Sequence, residues 1–114
     1  MINDIARIAR SYAADLVVGI GGGSSLDAAK AVTILLDNPG EIRDYYMSAG
    51  TVFAEKLPLF CVPTAAGTGS EATSICVVHD MHTDIKETVI KGATLAIVDP
   101  KLMVGLPPYI TAIT

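Results

Sequence analysis

The chain contains no tryptophan, and only 5% of its 114 residues are aromatic. Binders of single-stranded nucleic acid stack bases on aromatic platforms, and few are on offer here. Positive charge is scarce as well: 8 Lys and Arg against 12 Asp and Glu give a net charge of -4, so a basic surface for a phosphate backbone is excluded. Long apolar runs are missing. A run such as Ala31 to Leu36 falls far short of the roughly 20 residues a membrane helix requires. The opening Met1-Ile2-Asn3-Asp4 lacks the basic start of a signal peptide. The expectations are no nucleic acid partner, no membrane partner and a cytoplasmic location. Cysteine is also rare. Cys61 and Cys76 lie in apolar runs without C-x-x-C spacing or neighbouring histidines, which predicts buried free thiols. His79 and His82 stand at i, i+3 around Asp80-Met81 and read as solvated turn residues. No metal ligands are assigned, and no catalytic residue.

What is present is a balance of 51% hydrophobic and 18% charged residues, ordinary for an α/β domain. Leu16 to Lys30 reads as a buried strand entering a helix through the turn Gly21-Gly22-Gly23-Ser24. Helix amino termini expose unpaired N–H groups with a partial positive charge, and glycines let a backbone approach an anion closely. Ser24 is expected to cap the helix with Asp27 as its capping-box partner, and Gly23 to sit against the phosphate, where a positive φ would suit it. The turn is neither a G-x-G-x-x-G fingerprint, because Ser24 stands at the third glycine, nor a P-loop. A plain strand-to-helix connector is the alternative.

A second strand, Leu59 to Pro63, empties into Thr64-Ala65-Ala66-Gly67-Thr68-Gly69-Ser70-Glu71. Two strands ending in glycine and hydroxyl loops suggest one crevice at the carboxyl ends of a parallel sheet, with a dinucleotide as its occupant. The hydroxyls can equally satisfy their own turn backbone.

Elsewhere, Asn3 is expected to cap a helix that buries Ile5, Ile8 and Tyr12. The helix Ser25 to Leu36 stops at Asp37-Asn38-Pro39-Gly40, and Pro39 to Tyr46 reads as a short helix before the loop Met47 to Pro58. Ala72 to Val78 and Asp84 to Ile90 predict a hairpin turning at His79 to Thr83. Thr94 to Val98 is a further strand, and Pro107-Pro108 opens a last helix. The fold class that follows is α/β: a Rossmann-like parallel sheet with an attached β-hairpin.

Three motifs resemble a known family. G-G-G-S-x-x-D-x-x-K at Gly21 to Lys30, P-T-x-A-G-T-G-S-E at Pro63 to Glu71 and A-I-V-D-P at Ala96 to Pro100 resemble the iron-containing, group III, alcohol dehydrogenases. The resemblance implies an amino-terminal domain that binds NAD or NADP and a helical domain whose aspartate and three histidines hold one divalent metal, iron or zinc. It also implies a sheet truncated at both ends. Residues 1–106 would be a partial dinucleotide-binding domain, and residues 107–114 the start of the first helix of the metal-binding domain. The metal would then belong to the full-length enzyme only, and the small-molecule alcohol or aldehyde would be a substrate of that enzyme. An open sheet edge is expected to make the chain self-associate.

Carried over residue by residue, the resemblance puts Gly22, Gly23 and Ser24 at the pyrophosphate and Asp27 beside the nicotinamide or its ribose. It puts Thr64, Thr68 and Thr73 along the cofactor groove, Lys86 at ribose hydroxyls, and Leu102, Gly105 and Leu106 on the nicotinamide side. Ala65 departs from the family, which often has a second threonine there. Glycerol dehydrogenase, glycerol-1-phosphate dehydrogenase and dehydroquinate synthase share a similar G-G-G-S-x-x-D pattern, whereas the P-T-x-A-G-T-G-S-E run favours the alcohol dehydrogenases. A nucleotide-binding remnant without catalysis is the non-enzyme alternative.

Overall fold

The helix that follows the glycine turn is mostly apolar or small between Leu26 and Leu36, Asp27 and Lys30 apart, and such a helix has to be covered on most sides. The computed structural model, which describes residues 1–114, places it at the centre. This helix, α2 (Gly23–Asp37), follows α1 (Ile2–Ser11) and strand β1 (Val17–Gly21). Strands β2 (Leu59–Pro63), β3 (Ile75–Asp80), β4 (Ile85–Ile90) and β5 (Leu95–Ala96) come next, and α3 (Pro108–Ile113) is last.

Strands β1, β2 and β5 form a parallel sheet in the order β1-β2-β5, while β3 and β4 pair antiparallel as a separate ribbon. The α/β class, the parallel sheet and the hairpin therefore stand as the sequence predicts. One face of α2 packs on the sheet through Leu26, Leu59 and Cys61. Gly19 permits this closeness, since a Cβ there would lie 2.7 Å from the Cβ of Ala29. The other faces of α2 meet α1, the ribbon and the 3-10 turn Ile42–Tyr45 in a larger cluster built on Ala31, Ile34, Leu35, Tyr45, Cys76 and Val89. Both cysteines are buried free thiols. Burial pushes the Cys76 thiol up to about 12.

Several local expectations are corrected. Ile5, Ile8 and Tyr12 are exposed, because α1 turns Ala6, with Ile2 alongside, toward the core. The Arg10 guanidinium extends that contact, donating to the carbonyls of Leu35 and Asn38. Asn3 does not cap α1. Its side-chain oxygen accepts from the Ile42 amide at 3.2 Å. Pro39 to Tyr46 narrows to the 3-10 turn Ile42–Tyr45, which Glu41 caps. His79 belongs to β3, paired with Lys86 in the ladder, so the ribbon turns at residues 81–84. The last strand shrinks to Leu95–Ala96, and Asp99 caps a 3-10 turn, Pro100–Met103, that the pattern did not announce.

The sheet face opposite α2 is bare. Parallel partners share a face, so Val18, Phe60 and Leu95 form one row and Ile20 and Val62 another. Val18, Ile20 and Leu95 are 47%, 63% and 46% exposed, although parallel sheets are ordinarily covered on both faces.

Candidate functional site

The parallel register aligns Gly21 with Pro63, so the glycine turn and the hydroxyl loop leave the same end of the sheet side by side. The Thr64 amide donates to the Gly21 carbonyl at 2.9 Å and continues the ladder one step beyond the strands. Gly21 has φ +146, a backbone conformation that favours glycine and turns the chain from strand to helix.

Helix α2 begins without the expected cap. Gly22 is the N-cap, no side chain bonds there, and Ser24 lies within the first turn. Asp27 is drawn elsewhere: its carboxylate accepts from the Ser70 hydroxyl at 2.6 Å and from the Val77 amide at 3.1 Å. A tertiary role has displaced the local one. The amides of Gly22, Gly23 and Ser24 donate to no protein acceptor, which leaves three N–H groups at the positive end of a 15-residue helix.

The two glycines differ. Gly23 is helical, with no positive φ. A Cβ there would lie 2.7 Å from Cγ2 and 3.0 Å from Oγ1 of Thr68, so packing against the hydroxyl loop requires this glycine. Gly22 has φ -79 and ψ -176, open to any residue, and a Cβ there would meet nothing within 4 Å.

A cleft of 1190 Å³ runs from this turn along the ribbon, and Gly23, Ser24, Asp27, Thr68, Thr73 and Lys86 all line it. These are six of the eleven residues named from the sequence. Thr64 is held beside Gly21 through its amide, and Gly22 precedes the lining residues directly. Leu102, Gly105 and Leu106 lie outside the lining, in and just after the 3-10 turn that follows β5. They are not brought to this cleft.

At its far end the cleft is lined by Arg43, Tyr46, His79, Asp80 and His82. Asp80 accepts from the His82 amide at 2.8 Å, and this bond holds its carboxyl below the usual range. Burial, with Asp80 adding to it, pushes the Tyr46 phenol up to about 12. His79 Nε2 lies 2.8 Å from Asp84 Oδ1.

Sequence reasoning passed over Lys30 and Ser70. Lys30 is 0% exposed, and its ammonium donates to the carbonyls of Thr73 and Ile75 at 2.9 and 2.8 Å. A lysine inside an apolar helix, one turn after an aspartate, was the available signal.

No group of three or more His, Cys, Asp or Glu is placed to hold a metal ion. The residues present do not fit a divalent metal. The turn does fit an anion such as a dinucleotide pyrophosphate, as the open Gly22 and the three free amides show. No helix is long and apolar enough to cross a membrane.

The family model described as iron-containing alcohol dehydrogenase matches residues 1–100. The chain is 42% identical over 109 residues to the sulfoacetaldehyde reductase of Bilophila wadsworthia, covering 93% of this chain and 28% of that protein. It is 44% identical over 109 residues to long-chain-alcohol dehydrogenase 1 of Geobacillus thermodenitrificans, with the same 93% and 28% coverage. The solved structure of sulfoacetaldehyde reductase from Bifidobacterium kashiwanohense in complex with NAD+ superposes with a TM-score of 0.89 at 35% identity, over 97% of this chain and 30% of that one. The chain thus spans less than a third of the length of these relatives, and over its own length it belongs to the iron-containing alcohol dehydrogenase family.

Proposed function

We propose that this chain holds the dinucleotide, NAD or NADP, of an enzyme that interconverts an alcohol with its aldehyde or ketone. Residues 1–106 are the partial dinucleotide-binding domain in this reading, and residues 107–114 begin the helical domain that would carry the metal. The relatives are consistent with the chemistry: one is named as an alcohol dehydrogenase and another as an aldehyde reductase. A cytoplasmic setting belongs to the same reading.

One observation carries it. Neither φ nor packing demands a glycine at position 22, yet a glycine stands where a Cβ would project into open space at a helix amino terminus. Glycine is an acceptable N-cap, but Asn, Asp and Ser outrank it because their side chains would take up the free amides. Close approach of an anion to those amides explains a glycine in their place. The amides of Gly22, Gly23 and Ser24 would hold pyrophosphate oxygens. Ser24 and Thr68 would add hydroxyl donors, since the Thr68 oxygen accepts from the Ser70 amide at 3.3 Å and keeps its own proton free. Lys86, exposed on β4, would reach the ribose hydroxyls.

When bound, the dinucleotide supplies the hydride acceptor. The chain's own contribution is to bind and orient it. Asp27, which lines the cleft, takes one protein donor on each carboxylate oxygen and keeps lone pairs to accept from the nicotinamide or its ribose. Leu102, Gly105 and Leu106 remain assigned to the nicotinamide side on the resemblance alone. The bare sheet face supports the further reading that the chain self-associates through it.

The test is Gly22→Ala, read by NADH fluorescence titration of the 114-residue chain. Affinity is expected to fall at least tenfold while the chain stays folded, with a loss of stability no larger than the roughly 1 kcal/mol that alanine costs at an N-cap. Equal affinity would leave the turn a connector and defeat the reading.

A further inference from the structure

Lys30 is the largest fully buried side chain of the protein, and a cation removed from water must be met by acceptors. Those acceptors all come from one neighbourhood. Its ammonium donates to the carbonyls of Thr73 and Ile75 and lies 3.9 Å from the Asp27 carboxylate one turn earlier on α2. Asp27 in turn takes the Ser70 hydroxyl and the Val77 amide, and its carbonyl accepts from the Cys76 thiol at 3.1 Å. One turn of helix therefore grips five residues between Ser70 and Val77, namely Ser70, Thr73, Ile75, Cys76 and Val77.

Stability in general does not require a charge here, since apolar residues often replace a whole buried ion pair without loss, although removing Lys30 alone leaves Asp27 and two carbonyls without their cation. Position explains it better. The gripped segment carries Thr73, and the Ser70 amide fixes the Thr68 hydroxyl at 3.3 Å. Both threonines line the cleft opposite Gly23 and Ser24. The same rigid helix thus carries the anion-facing amides at its start and the clamp for the opposing hydroxyls two turns later.

We propose that Lys30 is a positioning residue that sets the spacing between the amino terminus of α2 and the Thr68–Thr73 loop, and so the width of the groove that takes the dinucleotide. This rests on the dinucleotide reading. Lys30 touches no ligand and acts through Thr68 and Thr73. Three ammonium donors suit the role because they meet two carbonyls and face a carboxylate at once, whereas a methionine would fill the volume and leave the two carbonyls without a donor.

The test measures NADH affinity by fluorescence titration for the parent chain, Lys30→Met, Lys30→Arg and Val32→Ala, with folding checked by circular dichroism and urea unfolding. Lys30→Met is expected to remain folded and to bind NADH at least tenfold more weakly. Lys30→Arg should recover affinity to within about threefold of the parent. Val32→Ala, a core truncation on the same helix far from the loop, should lose stability but bind within twofold of the parent. A purely structural lysine would leave affinity intact in every variant that stays folded, and that result overturns the proposal. If Lys30→Met does not fold, Ser70→Ala decides: it severs the loop from Asp27 without touching the lysine. Affinity at least threefold weaker supports the clamp, and unchanged affinity overturns it. Absence of NADH binding by the parent itself overturns the dinucleotide reading and the clamp with it, whereas binding by the parent with equal binding by Lys30→Met overturns the clamp alone.

Discussion

Gly23→Ala should destabilise the chain even with no ligand present, and Thr68 should be the reason. The added Cβ would lie 2.7 Å from Thr68 Cγ2, 3.0 Å from its Oγ1 and 3.1 Å from its Cβ. Carbon atoms pack best at about 3.5–4.0 Å, so the loop must retreat by roughly an ångström. Overpacking of this kind costs about 1–3 kcal/mol, while exchanging glycine for alanine in a helix returns up to about 1 kcal/mol. The net loss is expected to be about 1–2 kcal/mol. Thr68→Ala removes the two nearest atoms and leaves a gap of a few tenths of an ångström to absorb. The double variant should therefore recover about 1 kcal/mol relative to the sum of the singles. Urea unfolding of all four proteins, with equal m-values, measures this coupling. Additive effects, or a Gly23→Ala chain as stable as the parent, would show that the loop does not press on the helix start. Gly22→Ala is the internal control: its methyl enters open space, so it should show no coupling to Thr68→Ala and lose no more than the roughly 1 kcal/mol that alanine costs at an N-cap.

Acid should loosen the ribbon turn. The Asp80 carboxyl is held below its ordinary 3.8, chiefly by the His82 amide, so its contribution is complete above about pH 4 and fades as pH falls through the lowered value. The His82 amide should therefore lose hydrogen-exchange protection below about pH 4, and in Asp80→Asn that acid-dependent loss should vanish; an unaltered pH profile would count against the bond. Purified chain with added iron or zinc should show no alcohol-dependent NAD reduction, since it groups no metal ligands, and measurable turnover would refute this. The chain should sediment above monomer mass at about 100 µM, and Ile20→Lys on the bare sheet face should return it to monomer. A parent already monomeric would exclude association through that face.

Long-range order was the most readable layer of this sequence. Strand-turn-helix at Leu16 to Lys30 and strand-loop at Leu59 to Glu71 carry distinctive glycine and hydroxyl patterns, and two parallel strands with such ends can only place both loops at one edge. Local capping was misread for a physical reason. Asp27 at three residues beyond Ser24 satisfies the capping-box spacing, but its carboxylate gains more by accepting from Ser70 and Val77, partners over 40 residues away that no local pattern discloses. The face of α1 was misassigned similarly. Apolar spacing at Ile5, Ile8 and Tyr12 is a true stripe, yet it lies exposed, so periodicity reports a face without naming what covers it. Lys30 escaped notice because its acceptors are main-chain carbonyls, which every residue has.

The central claim is that the turn at Gly22, Gly23 and Ser24 and the Thr68–Thr73 loop hold a dinucleotide between them. Titrating the uniformly 15N-labelled chain with NAD+ and following amide resonances tests this most directly. The amides of Gly22, Gly23 and Ser24, which have no protein acceptor, should shift most and move downfield as they gain phosphate partners, with Thr68, Thr73 and Lys86 following. Shifts that leave residues 22–24 untouched, or none at all at millimolar NAD+, would contradict it.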